Sequence, residues 1–135
     1  MKEYKSNYKI ACLCGSTKFK DDYIETYEEL SKNRYITLTV GMFGHADNRY
    51  EKDLTEDVKI ILDVMHFEKM LMSDVIVVIN KDGYIGYSTK REIEFAHMHD
   101  IPVVYLYAYD IMHKDNYIKK DIHTLINEIE FYLNN

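Results

Sequence analysis

Five consecutive valines and isoleucines, Val75 to Ile79, form the stretch that most limits what this chain can fold into. They show no polar alternation, which is the pattern of a strand whose two faces are both buried in a parallel sheet. Such a strand belongs near the sheet centre. It ends at Asn80, a loop containing Gly83 and Gly86 follows, and Ser88 or Thr89 stands where it can cap a helix carrying Glu92 in its first turn. Ligands of open α/β sheets bind outside the carboxyl ends of strands, so this loop and helix start are the first candidate site.

The remaining chain supplies partners for that strand. Tyr8 to Leu13 reads as a first strand that runs into the turn and helix cap Cys14-Gly15-Ser16-Thr17. Phe19, Tyr23, Tyr27 and Leu30 recur at helical spacing up to Asn33, and Ile36 to Val40 is a second strand. Gly41 to Asp53 lacks periodicity and reads as a long loop. Helices are expected over Asp57 to Met72, Thr89 to His99 and from Ile122 onward, with a fourth strand over Val103 to Tyr107 after Pro102. Strands alternate with helices and no hairpin signal intervenes, so parallel strands joined by right-handed crossovers are the default. The expected architecture is one doubly wound, flavodoxin- or Rossmann-like α/β domain over residues 1–135. Its parallel sheet has four to five strands in the order 2-1-3-4, with helices on both faces. That order places the loops after the first and third strands side by side.

Composition narrows the classes of function. The 135 residues suffice for one core, and a single proline with five glycines argues against linkers. The net charge of −6 is spread without a basic run, which disfavours nucleic acid and anionic membranes as partners but leaves room for a small ligand. Met1 to Lys9 is polar, and no apolar run approaches the ~20 residues that cross a bilayer, so a cytoplasmic location is expected. Cys12 and Cys14 are separated by one residue and read as buried structural thiols, and the six histidines show no recurrent ligand spacing. Neither a metal nor a cofactor is expected. On the helix from Asp57 to Met72, Val58, Ile61, Leu62 and Met65 form one apolar stripe and Ile60, Val64, Phe67 and Leu71 another, with Lys59, Asp63 and His66 as a polar strip between them. One stripe should meet the sheet and the other a second copy of the chain, giving a homodimer or higher homo-oligomer.

Glu92 carries two readings. At a pocket rim its carboxylate can act as a nucleophile toward an anomeric carbon. Thr89-Lys90-Arg91-Glu92 also fits a capping box, in which the glutamate only bonds back to the amide of the cap residue, and spacing alone favours the cap. Ser16, Thr17, Ser88 and Thr89 stand at two helix starts that suit a phosphate or carboxylate, or serve as ordinary caps. Tyr84 and Tyr87 can stack on a flat ring or cover the sheet edge. No Gly-x-x-x-x-Gly-Lys-Ser/Thr loop and no Gly-x-Gly-x-x-Gly follows the first strand, which removes the main support for ATPases and dinucleotide enzymes.

Cys14-Gly15-Ser16-Thr17-Lys18 after the first strand, Ser73-Asp74 before the third, and Gly86-x-x-x-x-x-Glu92-x-x-x-Ala96 at the next helix together resemble the nucleoside 2-deoxyribosyltransferase superfamily, which includes the 2'-deoxynucleoside 5'-monophosphate N-glycosidases. The resemblance spans roughly Ile10 to Leu106. It implies cleavage or exchange of the N-glycosidic bond of a nucleoside or its 5'-monophosphate, with Glu92 as the nucleophile at C1'. It places Cys14, Gly15, Ser16, Thr17 and Lys18 around the substrate from the first loop, and Asn80, Gly83, Tyr84, Gly86, Ser88 and Thr89 from the third. His66 stands where the family often has an aspartate, and His66 or Asp63 would help protonate the departing base. The loop glycines are spaced differently, and Ser88-Thr89-Lys90-Arg91 replaces a glycine-rich approach to the glutamate. A non-catalytic nucleotide-binding or sensing module on the same scaffold is the alternative.

Overall fold

The computed structural model of the chain describes residues 4–40, 55–113 and 116–134. The expected loop at Gly41 to Asp53 lies outside them. Four parallel strands, β1 (Ile10–Gly15), β2 (Ile36–Leu38), β3 (Val75–Ile79) and β4 (Val103–Tyr105), form one sheet in the order β2-β1-β3-β4. β1 and β3 are its inner pair, in register from Ala11 opposite Val75 to Gly15 opposite Ile79. All five residues of β3 are buried, as the unbroken apolar run requires.

Alternate residues of the inner strands supply two cores. On one face Leu13, Val75, Val77 and Ile79 pack with Tyr23 and Leu30 of α1 (Lys20–Lys32) and Leu125 and Ile129 of α4 (Ile122–Leu133). On the other, Cys12, Cys14, Ile76 and Val78 meet Met70 of α2 (Glu56–Leu71) and Ala96 of α3 (Tyr87–Met98). The fold is therefore a doubly wound α/β domain with helices on both faces. No helix among the described residues is long and apolar enough to cross a membrane.

The fourth strand is shorter than its apolar run. β4 ends at Tyr105, Leu106 N still donates to Val78 O at 2.9 Å, and Tyr107–Tyr109 (β5) then pairs antiparallel with Tyr117–Lys119 (β6). Asn80 explains the change. Its side-chain amide accepts from Tyr107 N at 2.9 Å and donates to Tyr107 O at 3.1 Å, taking the backbone groups that a continuing strand would have offered to a neighbour.

α2 differs from its wheel. The buried members of its sheet side are His66 and Met70, while Ile60, Ile61, Val64 and Met65 are each about half exposed. Of the polar strip only His66 turns inward, while Lys59 and Asp63 stay exposed along the cleft, and neither apolar stripe as a whole meets the sheet. Only Val58, Leu62 and Phe67 reach half-burial.

Candidate active site

The two inner strands end side by side because of one glycine. Gly15 has φ +148°, and a Cβ there would lie 2.7 Å from the Ile79 carbonyl oxygen. Only glycine lets β1 approach the end of β3 this closely. Beyond that point the chain turns through Thr17–Phe19, with the Ser16 hydroxyl accepting from Lys18 N at 3.4 Å, before α1 begins at Lys20. The start of α1 thus falls a full turn later than the sequence suggests.

α3 shifts in the opposite sense. Its N-cap is Gly86, with no side-chain cap bond, so Thr89 is the third helical residue and is buried. Glu92 lies in the second turn, out of reach of the cap amide. The capping-box reading is therefore corrected: the box needs Thr89 at the cap, and the helix begins too early for that.

Glu92 instead turns inward. Its Oε2 lies 3.4 Å from His66 Nε2, with the two side chains only 15% and 7% exposed. His66 Nε2 lies 3.3 Å from Cys14 Sγ as well, so side chains from β1, α2 and α3 form a triangle around that nitrogen. His66 Nδ1 has no hydrogen-bond partner among the described residues. Burial pushes the Glu92 carboxyl up to about 7, aided by the negative charge of Asp63 and opposed by the Cys14 bond and Arg91. Burial, then the Lys69 ammonium, pushes His66 down to about 4. Cys14 is raised by its bond to Cys12, by burial and by Glu92. Near neutrality the imidazole is uncharged, the thiol is protonated, and the carboxyl is divided between its two forms.

A cleft of about 510 Å³ opens over this triangle. Gly15, Ser16 and Thr17 line it from the first loop, Tyr84, Gly86, Tyr87, Ser88 and Thr89 from the third, and Lys59, Leu62, Asp63 and His66 from α2, with Val40 at the edge and Glu92 in its wall. Ten residues that the resemblance places at the site thus share one cavity, and Tyr87, read as a stacking ring or an edge cover, joins them. Cys14 is fully buried and joins it through His66. Lys18 stands beside it, its Nζ 3.5 Å from the centroid of the Tyr84 ring.

Asn80 and Gly83 are not among the lining residues. Asn80 is buried and spent on Tyr107, and a Cβ at Gly83 (φ +75°) would collide with the Tyr117 ring. Both hold the third loop against the β5-β6 ribbon. Lys59, Leu62 and Val40 were not expected at the site. For Lys59 the signal existed, because residues 59, 63 and 66 follow one helical strip and share whatever that strip faces.

Comparison with protein-family models and with curated proteins finds no match to the chain. The geometry of the cleft therefore carries the functional reading.

Proposed function

We propose that this chain is a cytoplasmic enzyme that cleaves or exchanges the N-glycosidic bond of a nucleoside or nucleoside 5'-monophosphate through a glycosyl ester on Glu92. The observation that carries the reading is a carboxylate withdrawn from any capping role, buried in the wall of a nucleoside-sized cleft at the switch point of the sheet. The resemblance of Cys14 to Lys18 and of Gly86 to Ala96 to the nucleoside 2-deoxyribosyltransferase superfamily supports the same assignment.

In the forward step a Glu92 oxygen bonds to C1' as the C1'–N bond breaks, and the bonding pair leaves with the base, which takes up a proton. Only ionised Glu92 can attack, so its position at about 7 sets the fraction of competent enzyme near neutrality. His66 Nε2 faces that carboxylate and holds its orientation. Asp63, one turn before His66 on the cleft wall, is placed to handle the departing base. Water or a second base then attacks C1' from the vacated face, with net retention. The hydroxyls of Ser16, Thr17 and Ser88, together with the Lys59 ammonium in the same lining, suit the sugar and an anionic 5' substituent.

The half-exposed Ile60, Ile61, Val64 and Met65 on α2, and the groove where Val64, Phe67 and Leu71 face Phe95 and Met98, support a homodimer built on α2 and α3. The deciding experiment incubates the protein with a panel of nucleosides and 5'-monophosphates and follows free base by chromatography. Release that is lost in Glu92→Gln is the expected result. Saturable binding of the same compounds without release from any of them overturns the enzyme and assigns the chain to nucleotide binding or sensing.

A further inference from the structure

Behind the cleft wall lies a grouping that glycosidic chemistry does not use in full. Cys12 and Cys14, two residues apart on β1, project from the same sheet face, and α2 lays His66 over them. Cys12 Sγ, Cys14 Sγ and a His66 ring nitrogen lie within 4.8 Å of one another. All three residues are buried, and neither thiol is in a disulfide. Glu92 Oε2 lies 3.4 Å from His66 Nε2 on the cleft side, outside that group of three but next to its imidazole.

A tetrahedral zinc ion with Zn–S near 2.3 Å and Zn–N or Zn–O near 2.0–2.1 Å holds its ligands about 3.3–3.8 Å apart. The 3.3 Å from Cys14 to His66 and the 3.4 Å from His66 to Glu92 already have that spacing. Cys12 has to close on Cys14 and His66 by at most about 1 Å, and the Glu92 carboxylate has to swing toward the two sulfurs to complete the tetrahedron. Two thiols and an imidazole are donors that favour Zn²⁺ over Mg²⁺ or Ca²⁺. Ligation through Nε2 places the ring proton on Nδ1, which is buried and has no partner among the described residues, so the site forgoes the hydrogen bond that usually orients a ligating imidazole.

We propose that Cys12, Cys14, His66 and Glu92 form a binding site for one thiophilic divalent cation, Zn²⁺, and that its occupancy switches the cleft off. On binding, each thiol gives its proton to water as its sulfur–zinc bond forms. His66 carries its ring proton on Nδ1 and donates the Nε2 lone pair, and the Glu92 carboxylate donates an oxygen pair; no electron is transferred. At least two protons leave per ion at alkaline pH. The binding stands apart from the reaction assigned to Glu92, whereas the inhibition rests on that assignment, because a carboxylate pair shared with zinc is withheld from C1'.

The test titrates metal-free full-length protein with Co²⁺ as a spectroscopic probe, then displaces it with Zn²⁺. The expected result is one ion per chain, near-ultraviolet sulfur-to-cobalt absorption from two thiolates, the visible bands of a tetrahedral ion, and release of two or more protons in weak buffer. Cys12→Ala, at a residue outside the cleft, should bind about tenfold or more weakly, show one thiolate, and keep base release at Zn²⁺ concentrations that stop the wild type. A His97→Gln/His99→Gln control should bind as the wild type does. Absence of sulfur-to-cobalt absorption, or Cys12→Ala binding as tightly as the wild type, overturns the proposal. If Cys12→Ala does not fold, the wild-type spectrum and proton count decide. The predicted spectrum with base release insensitive to Zn²⁺ upholds the thiolate–imidazole metal site and overturns its control of the cleft.

Discussion

Replacing Glu92 by glutamine should stabilise the protein in a way that depends on pH. The Glu92 carboxyl sits at about 7 against an ordinary glutamate value of 4.5, so the folded state holds its proton over a range where the unfolded chain has lost it. A raised carboxyl pKa contributes stability that is fully present below the unfolded value and is lost as pH rises through the folded value. At about 1.4 kcal/mol per pH unit, the difference is worth roughly 3 kcal/mol across the window from 4.5 to about 7. His66 acts in the opposite sense. Its folded value of about 4 lies below the ordinary 6.5, so its contribution is present above 6.5 and is lost as pH falls toward 4, by roughly the same amount. Between 4.5 and 6.5 the folded protein carries one proton on Glu92 and the unfolded chain carries one on His66. The two slopes cancel, and the pair is silent in the wild type. Glu92→Gln removes one slope. Urea unfolding in EDTA should then show the variant gaining roughly 2–3 kcal/mol relative to wild type between about pH 5 and pH 8, while its own stability falls on acidification below 6.5. His66→Gln should show the reverse, losing stability as pH rises. A Glu92→Gln difference from wild type that is constant to within about 0.5 kcal/mol across that range would refute the buried-carboxyl reasoning.

Burial raises Glu92 most and the Asp63 charge adds to it, so Asp63→Asn should move the acid limb of kcat/KM, expected near 7 in the wild type, to lower pH; an unmoved limb in a pH–rate profile counts against the Asp63 contribution. A nucleoside 5'-monophosphate should raise the melting temperature more than the matching nucleoside, since only the phosphate meets the loop amides and Lys59, and equal shifts would remove the phosphate from the proposal. Gly15→Ala should cost more than about 2 kcal/mol and lower base release, because its Cβ meets the Ile79 carbonyl; a neutral effect in thermal unfolding would contradict that close approach. Light scattering at micromolar concentration should find a dimer that Ile61→Lys dissociates, and a ~16 kDa monomer in the wild type would exclude α2 as an interface.

The central strand and the alternation of strands and helices were legible in the local pattern. The Val75 to Ile79 run called for a strand on each edge and helices on both faces, and the order 2-1-3-4 expected of a small doubly wound sheet is the one observed. Because switch-point loops converge in that order, most of the cleft lining was legible as well. The tertiary structure decided what local spacing left open. Thr89 is a good cap and Glu92 fits its box, but the helix begins at Gly86, so the carboxylate goes to His66. Asn80 ends β3 as expected, yet only its closeness to Tyr107 turns the following chain out of the sheet into an antiparallel ribbon. Cys12, Cys14 and His66 had no readable ligand spacing because 52 residues separate the last two. Pairing of β1 with β3 and packing of α2 across them bring those groups together, and a linear pattern carries no record of which helix lies over which strand.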